Sequence, residues 1–362
     1  MRRSNTSALD NAIYGPSQLS YTNEEMKELK TFLMKNISLL MLILGVLGGS
    51  VTEAYPHSQV AEDSISWSRG PDIPLPRGGY YASWYKGGLL IAGGTYWKDN
   101  KKVWTDRVDY YEPSRNRWVE WSPLPLALAY GVMAQVRGKI YIIGGMKDET
   151  LCLDIFRLDG QTWKKIGVAP AAFIYGAATV VDEKVYAMGG GTSNNDLTTA
   201  TSQTWVFDPI TLHWEKLDPF PGKPRVVHVV ASLGKSIFLF GGATQSRGEP
   251  LTDLNEACLF DTITRQWRKL KPMPQACRAP WATPAKGSIY LIGGLGERSL
   301  DTVYRYHPES DEYRLVSRLP APLLDSKFFF HNGRFYGATG EDKARSRFPG
   351  LYIGRLVKSS SK

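Results

Sequence analysis

From residue 63 onward, short apolar runs alternate with polar turns at an even spacing. Five of these runs enter a glycine pair: Gly93-Gly94, Gly144-Gly145, Gly189-Gly190, Gly241-Gly242 and Gly293-Gly294. A sixth enters Thr339-Gly340. The stretch around the third pair has the clearest pattern. Tyr175 to Val181 is an apolar strand, Asp182-Glu183 a turn, and Lys184 to Met188 a second strand that runs into the glycines. After a polar segment come Thr204 to Pro209 and then His213 to Leu217, so the unit reads as four short strands in a meander. An aromatic residue on the fourth strand marks each unit: Trp67, Trp118, Trp163, Trp214, Trp267 and Tyr313. The second glycines step by 51, 45, 52, 52 and 46 residues, and the aromatics by 51, 45, 51, 53 and 46. Two markers moving together at a period near fifty predict an all-β protein, a six-bladed β-propeller with one four-stranded unit per blade.

The ends of the pattern predict how the ring closes. Trp67 has no glycine pair before it, and Gly340 has only enough chain after it, Gly350 to Val357, for a third strand. Ser64 to Ser68 should therefore be the outer strand of the last blade, which pairs the N- and C-terminal strands and leaves no open edge. The glycines are expected where a Cβ would collide with a neighbour or where φ is positive. The marker tryptophan is expected to lie over that bare backbone.

Composition adds compartment and partners. The repeats fill residues 63–357, the size of one domain. Ahead of them, Met34-Lys35-Asn36 leads into the apolar run Ile37 to Leu47, followed by Gly48-Gly49-Ser50 and Thr52-Glu53-Ala54. A basic start, a short apolar stretch and small residues predict a signal peptide at 34–54, with 1–33 as an upstream extension, and a periplasmic or secreted product. The run is short for a membrane span, so no membrane association is expected once it is removed; a signal anchor is the alternative. The chain carries 44 Lys and Arg against 35 Asp and Glu, a net charge of +9. Without a dense basic run, that surplus argues against nucleic acid and suits a small anionic ligand. Cys152, Cys258 and Cys277 are too few for a disulfide framework and read as buried thiols.

The binding face of such a ring is built from the connections between strands four and one and between strands two and three. The first connections carry prolines (Pro74, Pro123, Pro219, Pro272, Pro320), and just after them come Arg77, Tyr130, Tyr175, Arg225, Arg278 and Asp325. Arg77, Arg225 and Arg278 are expected to converge near the axis as a clamp for a carboxylate, which a guanidinium fork binds through two parallel hydrogen bonds. Loop carboxylates Asp99, Glu249, Glu297 and Glu341 are candidate acids or bases. Of five histidines only His228 falls on a channel strand, no pair has metal-ligand spacing, and there is no phosphate loop, dinucleotide fingerprint or nucleophile elbow. Neither a metal nor a cofactor is indicated.

The repeat is of kelch type, and the first two units narrow the resemblance. Leu90-Ile91-Ala92-Gly93-Gly94, Lys101-Lys102-Val103-Trp104-Thr105-Asp106, Leu124-Pro125 and Leu128-Ala129-Tyr130-Gly131 before Ile143-Gly144-Gly145 resemble the bacterial kelch-type N-acetylneuraminate mutarotases, in their cyclically permuted branch. The resemblance implies a cofactor-independent enzyme outside the cytoplasm that interconverts the α and β anomers of sialic acid. On that reading the arginines grip the carboxylate, Glu249 moves the proton, and Tyr130 and Tyr175 assist. The alternative is a non-catalytic secreted propeller that binds a protein or a carbohydrate.

Overall fold

The computed structural model describes residues 63–343 and 345–358. The proposed extension and signal segment, residues 1–54, lie outside them. The described residues form six four-stranded antiparallel sheets. In the third, Ala177–Val181, Lys184–Met188, Thr204–Asp208 and His213–Leu217 pair in chain order, inner strand to outer. The sixth sheet holds Lys327–His331, Arg334–Ala338 and Leu351–Lys358, and its outer strand is Asp63–Gly70. Trp67 there lies opposite Gly354, and Arg69 opposite Tyr352, so the first described strand closes the ring as the spacing predicted.

The glycine pairs are the points where one blade is tied to the next. A Cβ on Gly93 would stand 2.3 Å from the Leu128 carbonyl oxygen, one on Gly144 2.3 Å from that of Ala172, and one on Gly293 2.4 Å from that of Leu323. The second glycine of each pair donates its N–H to a carbonyl of the next blade: Gly94 to Leu128 (2.8 Å), Gly145 to Ala172 (2.8 Å), Gly190 to Arg225 (3.1 Å), Gly242 to Cys277 (3.0 Å), Gly294 to Leu323 (2.8 Å) and Gly340 to Arg77 (3.3 Å). Six such bonds form a belt. What crowds the glycines is mostly neighbouring backbone, joined by the Tyr81 hydroxyl at Gly145 and the His228 ring at Gly189, and not the marker tryptophan.

That aromatic packs instead on the third strand of its own sheet, as in Phe207–Trp214 (4.7 Å between ring centroids), Phe260–Trp267 (4.9 Å) and Tyr306–Tyr313 (4.8 Å). In four of the six blades its polar end reaches back to the preceding blade, as where Trp118 Nε1 donates to Pro71 O (3.0 Å) and Tyr313 OH to Lys271 O (2.9 Å), while the Nε1 groups of Trp163 and Trp214 have no partner among the described residues. Apolar clusters fill the blade interfaces; one joins Tyr81 and Leu90 to Ile142 and Phe156, another joins Phe238 and Phe240 to Ile289 and Tyr306. Cys152, Cys258 and Cys277 are buried and unbridged, and burial pushes the thiols of Cys258 and Cys277 up to about 12.

Candidate functional site at the channel mouth

Each inner strand is entered through one residue in the left-handed region: Gly79 (φ 63°), Tyr130 (71°), Tyr175 (56°), Val227 (47°), Ala279 (50°) and Asp325 (54°). Five of these are not glycine, and such a conformation costs of order 1–3 kcal/mol each unless the surroundings enforce it. Here a second belt of hydrogen bonds enforces it. The N–H of Tyr130 donates to Gly79 O (2.8 Å), Tyr175 to Tyr130 O (2.9 Å), Val227 to Tyr175 O (2.7 Å), Ala279 to Val227 O (2.8 Å) and Asp325 to Ala279 O (3.4 Å). At the seam between the last and first blades, the Gly79 N–H donates to the Asp325 carboxylate, so a side chain closes the ring.

These six residues rim a cavity of about 120 Å³ on the axis. Below them its wall is mostly apolar, with Ala82, Val132, Met133, Ala178 and Val230. The chemistry is therefore confined to the rim and to one side of it.

On that side, Lys327 donates to Asp325 Oδ1 (2.9 Å) and stands 4.1 Å above the Tyr80 ring. Tyr130 OH lies 3.1 Å from Thr95 Oγ1, and its ring is 4.8 Å from that of Tyr175. Thr95 belongs to the hairpin Thr95–Lys98 with Lys101–Trp104, whose base pairs with Gly78. Arg347, almost fully buried, donates Nε to Thr95 O (3.2 Å) and pairs through Nη1 with Glu341 (2.7 Å). Burial pushes the Glu341 carboxyl above its ordinary value, Arg347 opposes this, and the Asp325 charge adds to it. The Tyr175 hydroxyl is held well above its usual range by burial, then by Tyr130, Asp325 and Glu341. Two carboxylates, two phenols and two guanidinium or ammonium groups thus gather on one side: Asp325, Tyr130, Tyr175 and Lys327 border the cavity, and Glu341 and Arg347 lie outside its lining.

Tyr130 and Tyr175 stand where the sequence suggested, on the rim. The three arginines do not form a clamp there. Arg77 is completely buried, its Nη1 on Asp109 (2.7 Å) and Leu75 O (2.8 Å) and its Nη2 on Ile91 O (3.0 Å). Arg225 is buried against Glu256, Gly241 O (3.2 Å) and Lys223 O (3.1 Å). Both turn into the blade and donate to a carboxylate and to backbone carbonyls near the glycine pair, so the guanidinium there is a structural donor. Arg278 pairs with Asp253 (2.6 Å) on the hairpin of the preceding blade. Glu249 is exposed in the turn between Ala243–Thr244 and Thr252–Asp253, its amide on Ser246 O (3.0 Å), and is not among the residues that border the cavity. Asp99 and Glu297 are exposed as well.

His228 borders the cavity wall but is buried, with no hydrogen-bond partner of normal geometry on either ring nitrogen among the described residues. Burial, helped by the Arg225 charge and weakly opposed by the Met188 backbone, lowers its pKa to about 3. It stays neutral at any physiological pH. Among the described residues no group of three or more His, Cys, Asp or Glu is arranged to hold a metal ion.

The KLHDC2/KLHL20/DRC7 Kelch-repeats domain family matches residues 64–242, and the Kelch motif matches 224–274 and 283–320. Beta-scruin of Limulus polyphemus is 24% identical over 270 residues, 73% of this chain and 24% of that protein. N-acetylneuraminate epimerase 1 of Escherichia coli is 31% identical over 106 residues, 25% of this chain and 28% of that one. Against the first curated relatives, the match spans from about a quarter to about half of their length. A solved structure described as "Structure of YjhT" superposes with a TM-score of 0.66 at 15% identity, over 78% of this chain and 95% of that one, and so has the same fold. With six glycine-marked blades closed by its first and last described strands, the chain belongs to the kelch-repeat β-propellers.

Proposed function

We propose that the channel mouth binds an anionic sugar and interconverts the α and β anomers of N-acetylneuraminate. The observation that carries this reading is the corner where Asp325, Tyr130 and Tyr175 rim an apolar channel, with Glu341, bridged to Leu324 and paired with Arg347, next to them outside the cavity lining. Anomerisation requires only two proton movements. The anomeric hydroxyl gives up its proton as the ring oxygen gains one, the C–O bond of the ring breaks to leave an open ketone, and reclosure on the other face reverses the transfers. A carboxyl raised by burial can hold a proton nearer neutral pH than an ordinary glutamic acid. Glu341 is therefore the better acid and base here than the exposed Glu249, with Tyr130 and Tyr175 orienting the hydroxyl. Likeness over 106 residues to a protein named N-acetylneuraminate epimerase supports the same substrate.

The test is proton NMR of freshly dissolved single-anomer N-acetylneuraminate with and without the protein. The wild type should shorten the approach to anomeric equilibrium. Glu341→Gln should lower kcat by roughly 10²- to 10⁴-fold, the usual contribution of a positioned acid or base, with a smaller change in KM. An unchanged wild-type rate would replace the enzyme reading by the non-catalytic one. In that case Ile210 and Ile263 gain interest: they are exposed at equivalent turns of adjacent blades, on the face opposite the mouth, as a protein contact would require. The signal-like segment at 34–54 would put either activity outside the cytoplasm, and N-terminal sequencing of the exported product checks that.

A further inference from the structure

We infer that the carboxylate receptor of the mouth is Lys102, an ammonium held over the rings of Trp97, Trp104 and Tyr130. The inference rests on the anionic-sugar reading and deepens it. Of the cations at the corner, Lys327 is neutralised by Asp325 at 2.9 Å and Arg347 by Glu341 at 2.7 Å, while Arg345 lies over the Trp97 ring, 5.3 Å from its centroid, and over no other. Lys102 has no carboxylate at ion-pair distance among the described residues. Its Nζ instead lies 5.8 Å from the centroids of Trp97 and Trp104 and 5.7 Å from that of Tyr130. Ring faces attract a cation but leave its N–H donors open to an anion.

The group is also held in place. Asp99 and Asn100 take positive φ (49° and 58°), which makes the hairpin turn a tight two-residue one suited to the strand twist. The hairpin base is fixed through the Gly78–Thr95 pairing and the Arg347 bond to Thr95 O. Little side-chain and loop freedom remains to be lost when a ligand arrives.

Position supplies the chemistry. The Tyr130 ring beneath Lys102 borders the cavity, so the ammonium stands beside the mouth. In a 2-keto sugar acid the carboxylate is borne by the anomeric carbon itself. Held at Lys102, it brings the anomeric hydroxyl to the groups that move protons. A uronic acid, with its carboxylate across the ring, would reach Lys102 with its anomeric centre turned away.

The experiment uses the full chain and its Lys102→Met and Lys102→Arg variants, with N-acetylneuraminate and its uncharged methyl ester as paired probes in calorimetric titration. Thermal melts confirm equal folding. The acid should bind the wild type more tightly than the ester does. Lys102→Met should weaken the acid by roughly ten- to hundredfold, the cost of a lost charge-assisted contact, and leave the ester unchanged. Lys102→Arg should retain most of the affinity. The receptor is overturned if Lys102→Met weakens acid and ester alike, if it changes neither, or if the wild type does not bind N-acetylneuraminate. If the acid binds through Lys102 and anomerisation is not accelerated, the receptor stands and the enzyme reading falls. If the wild type is active and Lys102→Met leaves KM unchanged, the enzyme reading stands and the receptor falls.

Discussion

Replacing His228 by leucine tests whether one buried imidazole sets the acid limit of the propeller. In the unfolded chain this group titrates at its ordinary 6.5, and in the fold burial holds it at about 3. Between those values the unfolded state binds the extra proton, so folding stability falls as pH drops from 6.5 toward 3. The full difference is about 3.5 pH units, or roughly 4 to 5 kcal/mol at 1.36 kcal/mol per unit. Between pH 8 and pH 5, before the folded-state group begins to titrate, the loss from this residue is about 2 kcal/mol. Urea unfolding at both pH values, for wild type and His228→Leu, isolates that share. Any shift in the baseline at pH 8 from leucine packing against Gly189 and Phe220 is common to both pH values and cancels. The variant should lose about 2 kcal/mol less than the wild type on going to pH 5. Equal losses would mean that His228 takes up its proton within the fold, and the burial argument would be refuted.

Two further outcomes follow from the belts and the buried arginines. Asp109→Ala leaves the Arg77 guanidinium unpaired in a fully buried site and should cost about 3–5 kcal/mol in urea unfolding, without changing ligand affinity of the folded protein. Gly144→Ala forces a Cβ to 2.3 Å from the Ala172 carbonyl oxygen and should cost about 1–3 kcal/mol from overpacking in addition to the strain at its φ of 66°, whereas Gly138→Ala, at a similar φ of 68° with nothing within 4 Å, should cost only about 1–2 kcal/mol; melts of the two variants make the comparison.

The sequence was most legible where one physical demand recurs in every blade. Six close backbone approaches need six residues without a Cβ or with positive φ, and the glycine pairs and Thr339-Gly340 report them, as Trp67 reports the strand that closes the ring. The site was less legible because its residues vary from blade to blade while only their positions repeat. Gly79, Tyr130, Tyr175, Val227, Ala279 and Asp325 share no chemistry, yet each stands fifteen residues before the second glycine of its unit. Arg77 and Arg225 stand seventeen before theirs and Arg278 sixteen. Two residues of offset along a tight left-handed turn take a side chain from the rim into the blade, so of three arginines grouped by nearness to a proline two are buried in their blades and the third pairs with a hairpin carboxylate. The same register picks out Glu341. It follows directly on Gly340, at the position held by Thr95, Met146, Gly191, Ala243 and Leu295 in the other units, each bridged to the residue before the rim. A carboxylate at a position otherwise filled by neutral groups is the kind of departure that a functional site leaves in a repeat. Lys102 lies beyond even that register: among the described residues its hairpin alone carries aromatic rings on both strands, and no repeat position elsewhere corresponds to it.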